Sequence, residues 1–209
     1  MPFIHNVNLQ GYKFIHVDTH KNAGGVGLYM KNCIDFIILN KLQIKNCDFE
    51  ILWIEIKLKN KKYAVGVIYR HPDPNFKTFS EKLFGILHEL NDKKYTYFVC
   101  GDFNINLMHY SKVKCVTDYV DTLHSLSCKF LVDKPTTITK YSTTLIDQIY
   151  TNDVKSSIVS GIIIDDFSDH LPIFAISKKN HHRKYILKEK LEKLMASMQN
   201  ILLLIYNLG

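Results

Sequence analysis

The sequence predicts a mixed α/β domain over residues 1–176, followed by a basic linker and one helix over residues 177–209. Short runs rich in β-branched and aromatic residues, bounded by glycine, proline and asparagine, read as strands. Two segments between them carry apolar residues at three-to-four spacing and read as helices laid against a sheet. After Ser177 both patterns stop at the basic run Lys178 to Lys184.

Each element follows in order. Gly24 and Gly25 form a turn that feeds a strand through Met30. Glu50 to Leu58 is a strand, with Phe49, Leu52, Ile54, Ile56 and Leu58 roughly alternating against Trp53, Glu55 and Lys57. The run Lys57 to Lys62 fits a hairpin turn into a second strand, Tyr63 to Tyr69, which Pro72 and Pro74 bring to an end. Phe76 to Asn91 is a helix with Phe79, Leu83, Leu87 and Leu90 on one face and Ser80 or Thr78 as its cap. Tyr95 to Cys100 is a buried strand, and Val116 to Leu126 is a second amphipathic helix. Thr144 to Tyr150, Ser160 to Ile164 and Leu171 to Ile176 complete the strands; Tyr185 to Leu208 is the terminal helix.

Composition narrows the classes. At 46% hydrophobic and 12% aromatic residues the chain is globular, not disordered. No apolar run approaches the roughly 20 residues that span a bilayer, and no secretory signal is visible at the start, so an intracellular protein with no membrane role is expected. Cys33, Cys47, Cys100, Cys115 and Cys128 have no paired spacing and read as free thiols. The net charge of +7 is consistent with a polyanionic partner, although much of it sits in solvated lysine runs.

Two short motifs carry chemistry. Gly101-Asp102-Phe103-Asn104 follows the strand ending at Cys100, and Ser168-Asp169-His170 follows the strand ending at Ile164. Strand ends expose side chains on loops while the sheet holds them in place. A carboxylate, an amide and an imidazole placed this way suit a hard divalent cation beside a general base, the chemistry of phosphate-ester hydrolysis. Asp165 and Asp166 are assigned to the loop before the second motif, and His181 and His182 to the surface.

Read together, five motifs resemble the endonuclease/exonuclease/phosphatase family, the DNase I-like fold, and in particular the apurinic-type endonuclease domain of non-LTR retrotransposons. They are Gly24 to Tyr29, Gly66 to Pro72, Gly101 to Asn106, Thr143 to Asn152 and Ser168 to Pro172, in the family's order. The resemblance implies a four-layer αββα sandwich of two mixed β-sheets with the site across its top. It implies that Asp102 and Asn104 orient the attacking water and hold the phosphate, and that Asp169 binds a divalent metal, Mg²⁺ or alternatively Mn²⁺. It further implies that His170 contacts the phosphate or takes a proton, with Asp147 fixing its tautomer, and that Tyr69 donates to the phosphate. Arg70 and Ser168 are expected as further phosphate contacts. The implied partner is DNA, reached in the nucleus, and the parent element would continue into a reverse transcriptase.

The family's pattern also includes a first strand with an Asn and a second ending in a metal-binding Glu, but no glutamate precedes Glu50 here. The sequence is therefore expected to be an N-terminally truncated member that lacks the first strands. Two readings stay open: a DNA-nicking phosphodiesterase, and an inactive remnant that binds nucleic acid at most through charge. A third, hydrolysis of an inositol or sphingolipid phosphoester, fits the retroelement-like stretches less well.

Overall fold

A computed structural model of the chain describes residues 9–18, 25–58, 61–72, 76–164 and 168–178. The strands, in chain order, are β1 (Tyr12–Val17), β2 (Val26–Lys31), β3 (Phe36–Ile38), β4 (Ile44–Lys45), β5 (Phe49–Leu58), β6 (Lys61–Arg70), β7 (Thr96–Asp102), β8 (Lys129–Phe130), β9 (Thr137–Ile138), β10 (Thr143–Thr144), β11 (Asp147–Thr151), β12 (Ser157–Ile162) and β13 (Ile173–Lys178). The helices are α1 (Phe76–Asp92) and α2 (Lys114–Ser125). The expected terminal helix, the linker beyond Lys178 and the pair Asp165 and Asp166 lie outside the described residues.

The centre is a seven-stranded mixed sheet in the order β3-β5-β6-β7-β11-β8, with β4 also on β5. Only β6 and β7 pair in parallel within it. Parallel neighbours need a crossover rather than a tight turn, and α1 is that crossover. On one face, α1 and α2 close an aromatic core around Trp53, Phe79, Phe103, Tyr119 and Tyr150. On the other, the hairpin β1–β2 and the ribbon β12–β13 bury Ile15, Leu28, Met30, Ile173 and Ala175 against Leu52, Val67, Cys100 and Ile149. The chain is an α/β sandwich in which these hairpins stand as the second β layer, and both helices among the described residues lie on the same side. None of the described helices is long and apolar enough to cross a membrane.

Several local expectations need correcting. The alternation in β5 does not separate core from water. Phe49, Ile51 and Trp53 enter the helix-side core, Leu52, Ile54 and Ile56 the hairpin-side core, and both faces are buried. Trp53 is accommodated because its cross-strand partner is Gly66, where an added Cβ would lie 2.6 Å from the indole ring. Ser80 and Thr78 sit inside α1, and Ser80 Oγ donates to the Phe76 carbonyl at 2.9 Å, so neither caps it. The single strand expected over Thr144 to Tyr150 is two elements. The Leu145 carbonyl accepts the Leu107 amide and the Ile146 carbonyl accepts the Phe103 amide, which draws the chain away from β10 before β11 begins. Pairing in β13 runs to Lys178, two residues past the boundary expected after Ile176.

Candidate active site

Side chains of residues paired across adjacent strands project from the same face of a sheet. β6 lies parallel to β7 with Tyr69 opposite Asp102, and β11 lies antiparallel to β7 with Asp147 opposite Asp102. On the far side of β6, Glu50 of β5 stands opposite Tyr69. Glu50, Tyr69, Asp102 and Asp147 thus form one polar rank across four strands. Two residues along each strand, Leu52, Val67, Cys100 and Ile149 belong to the hairpin-side core, which fixes the face the rank occupies.

The turn after β7 sets Asn104. Gly101 has φ +146°, and a Cβ there would lie 1.7 Å from the Ile68 carbonyl oxygen, so only glycine lets β7 pass this close to β6. Asn104 takes a left-handed φ of 49°, a conformation asparagine tolerates. Its backbone N–H donates to Asp102 Oδ1 at 2.9 Å, and its side-chain amide donates to the Arg70 carbonyl at 2.7 Å and to Asp102 Oδ2 at 3.3 Å. Asn106 Oδ1 accepts the Leu145 amide at 3.1 Å and ties this loop to the approach of β11.

Arg70, one residue beyond Tyr69, faces the other way. Its Nε donates to the Phe103 carbonyl at 2.7 Å and its Nη2 to the Asn104 carbonyl at 2.8 Å, while the buried guanidinium packs over Phe76 and Phe79. Arg70, expected as a phosphate contact, grips the loop that carries Asp102 and Asn104 from the helix side. Arginine's planar fork suits two carbonyls at once.

The second motif reaches the rank from the side. The Leu171 amide donates to the Thr136 carbonyl at 2.7 Å and the Ile138 amide to the Asp169 carbonyl at 2.9 Å, so β9 holds the segment. His170 Nδ1 stands 3.1 Å from each Asp147 carboxylate oxygen. Asp147 is held in turn by Thr137 Oγ1, which donates at 3.3 Å, and by its own N–H, which donates to Thr136 Oγ1 at 3.0 Å. Thr136 and Thr137 are positioning residues that sequence reasoning missed; both are buried, but threonine in a short polar run carries no distinguishing signal. Ser168 and Asp169 are exposed, and Ser168 Oγ accepts the His170 amide at 3.1 Å.

Charge is tuned at three of these residues. Burial first, and then the neighbouring Asp147 charge, push the Asp102 carboxyl up to about 7, against the opposing pull of the Asn104 N–H, His170 and Arg70. The hydrogen bond to Asp147 raises the His170 imidazole above its ordinary value and favours the cation, outweighing desolvation. Burial, followed by the Asp102 and Glu50 charges, raises Tyr69 and keeps the phenol protonated as a donor.

Asp102, Asp147 and His170 offer ligand atoms that all lie within 4.8 Å of one another. Asp169, the residue expected to hold a metal, is not in this cluster and stands at its exposed rim. A cation here would draw on the carboxylates of this cluster, with Asp169 at the rim beside it. That set fits a hard ion, since Mg²⁺ is commonly held by one or two carboxylates and retained water. Beside the cluster, the hairpin of β9 and β10 carries Lys140 and the exposed Tyr141 at its tip.

The sequence profile of the endonuclease–reverse transcriptase family matches residues 63–174. Among solved structures, the chain is similar to the endonuclease domain of TRAS1, a telomere-specific non-LTR retrotransposon, with 17% identity, TM-score 0.62, and 78% of this chain and 76% of that chain covered. It is also similar to the AP endonuclease LMAP from Leishmania major, with 11% identity, TM-score 0.62, and 78% and 69% covered. A third similar structure is D. rerio TDP2 complexed with single strand DNA product, with 11% identity, TM-score 0.56, and 81% and 78% covered. No curated protein matches the chain. At these identities the likeness to solved structures establishes the fold.

Proposed function

Because the chain belongs to the endonuclease–reverse transcriptase family, we propose that it is a divalent-metal-dependent phosphodiesterase that nicks DNA as the endonuclease domain of a non-LTR retrotransposon. The observation that carries this reading is the rank Tyr69, Asp102 and Asp147 with His170 closing its end. A carboxylate pair, an imidazole and a phenol thus stand side by side on one face of the sheet. The similarity to endonucleases, one of them from a retrotransposon, supports the same reading.

In this mechanism the Asp102 carboxylate orients the attacking water and takes its proton as general base. The water oxygen forms a bond to phosphorus in line with the bond to the 3′ oxygen, which breaks; the departing oxygen takes a proton from solvent water and leaves as a 3′-hydroxyl. His170, whose cationic form Asp147 favours, balances charge on the phosphoryl oxygens. Tyr69 and the Asn104 amide orient the phosphate and the water. Ser168, at the exposed rim, is a further phosphate contact. A divalent cation held by Asp169, Mg²⁺ or Mn²⁺, would supply further charge neutralisation when bound. Arg70 acts through the loop and does not touch the substrate. The net charge of +7 supports a DNA substrate, as do Lys140 and Tyr141 beside the site. Such an enzyme works where chromosomal DNA is.

The test is nicking of supercoiled plasmid by the full chain with and without Mg²⁺, alongside His170→Ala. Mg²⁺-dependent nicking that disappears in the variant is expected. A folded protein that binds DNA but never nicks it would instead establish a non-catalytic nucleic-acid-binding chain.

A further inference from the structure

The rank has a second end that nothing in the proposed mechanism uses. Glu50 is fully buried at 0% exposure, opposite Tyr69 on the neighbouring strand. Its Oε1 stands 3.2 Å from Nε2 of His71, itself 4% exposed, and its Oε2 has no hydrogen-bond partner among the described residues. The His71 ring meets the Tyr69 ring edge to face, with centroids 4.8 Å apart and planes at 78°. The His71 backbone N–H donates to the Asp48 carbonyl at 2.8 Å, which fixes the main chain that carries the imidazole where β6 ends. A carboxylate–imidazole pair therefore stands at each end of the rank: Asp147 with His170 beyond Asp102, and Glu50 with His71 beyond Tyr69.

A buried carboxylate with one oxygen unsatisfied is costly, and replacing a buried pair by apolar side chains is often neutral or stabilising. A packing role alone would be filled better by two hydrocarbons, as it is at Ile51 and Ile68, the paired residues one position along the same strands. What distinguishes the Glu50 position is that Tyr69 stands opposite it in the strand pair and that its imidazole partner packs against the Tyr69 ring. The phenol of Tyr69 has a flexible lever arm, and an orientation fixed from behind is what a phosphate donor requires.

We propose that Glu50 and His71 are a positioning pair that fixes the Tyr69 ring so that its hydroxyl is presented to the phosphate. The pair touches neither substrate nor metal. The inference rests on the phosphodiesterase reading for its effect on rate, but the fixing of Tyr69 is a property of the folded protein.

Two measurements on the full chain test it. In a double-mutant cycle, Glu50→Gln lowers kcat for plasmid nicking by about 5- to 50-fold with KM little changed, the pattern of a group felt in the transition state. In a Tyr69→Phe background the same substitution costs less than about twofold, because its route to the phosphate is already gone. Equal losses in both backgrounds, or none in either, would overturn the proposal. The second measurement needs no activity: fluorine NMR of 3-fluorotyrosine placed at position 69. One sharp resonance is expected in the parent, with a shifted or broadened one in Glu50→Gln and in His71→Leu. An unchanged resonance in both would refute the positioning role even in a chain that does not nick. A changed resonance in a non-nicking protein would uphold the positioning and reject the phosphodiesterase reading.

Discussion

The same strands of the central sheet serve two unlike faces. Toward the helices, Phe49, Phe79, Phe103 and Tyr150 pack edge to face and tilted, beside the buried Trp53 and Tyr119 and closed to water. Toward the hairpins, the apolar ranks give way at one end to Glu50, Tyr69, Asp102 and Asp147. Neighbouring residues Tyr69 and Arg70 show the division most directly: Tyr69 lies in the rank, while Arg70 reaches the Asn104 loop from the helix side through the carbonyls of Phe103 and Asn104. The helix-side face holds the fold, and the hairpin-side face gives up stability at its rim by crowding carboxylates where burial penalises their charge.

The sharpest break between the faces is Asp102→Asn. Nicking is expected to fall by about 10²- to 10⁴-fold, the range for loss of a proton-transfer group. Stability should move the other way. An amide still accepts the Asn104 N–H but removes the repulsion with Asp147, so metal-free protein at pH 8 should gain about 1–3 kcal/mol. Paired plasmid assays and urea melts check both signs together, and a variant that loses stability along with activity would erase the proposed difference between the faces. Trp53→Ala is the converse. Emptying a fully buried indole site opposite Gly66 should cost about 3–5 kcal/mol while leaving the rate per folded molecule unchanged. Arg70→Met tests the residue that joins the faces. Losing both carbonyl contacts should release the Asn104 loop and lower nicking by about 10- to 100-fold, with a stability loss of about 1–3 kcal/mol. A rate loss without destabilisation would mean that the guanidinium acts on the substrate after all.

Legibility in the sequence divides along the same line. Long elements with a strong period, such as β5, β6, α1 and α2, were readable because apolar spacing follows directly from helix and strand geometry. Two- and three-residue strands such as β4, β8 and β9 leave no period to detect, yet β9 supplies Thr137 and the backbone that seats His170. Asp102, Asn104, Asp147 and His170 stood out through their motifs, and the structure brings them together. What motif matching could not show was direction. Tyr69 and Arg70 are adjacent letters, and only the strand's two-residue alternation, combined with which face carries the helices, separates a residue at the site from one behind it. Glu50 and His71 were invisible for a related reason. Glu50 sits in an otherwise apolar run, and its meaning depends on the cross-strand register with Tyr69, which no single segment encodes.

The remaining effect expected is the most specific to the hairpin-side face. Without metal, Asp102 titrates near 7 in the folded protein against 3.8 for an ordinary aspartate, so the folded state binds its proton more tightly than the unfolded one. Stability from this group is therefore present at low pH and lost as pH rises from about 4 through 7. His170 is raised as well, so its contribution is complete below 6.5 and is lost as pH rises through the folded-state value. The two slopes have the same sign, and the melting temperature in EDTA should fall steadily from pH 5 to pH 8, opposite to the trend set by carboxylates in favourable ion pairs. Linkage limits each group to about 1.4 kcal/mol per pH unit. Asp102→Asn should flatten the acidic part of the curve, and His170→Ala the part above 6.5. Adding Mg²⁺ should restore stability mainly at the alkaline end, where the deprotonated rank gains most from a cation. Trp53→Ala, acting on the other face, should lower the whole curve without changing its slope. A slope that survives both rim substitutions would place the titrating groups elsewhere, and the burial of charge at Asp102 would no longer account for the instability of this face.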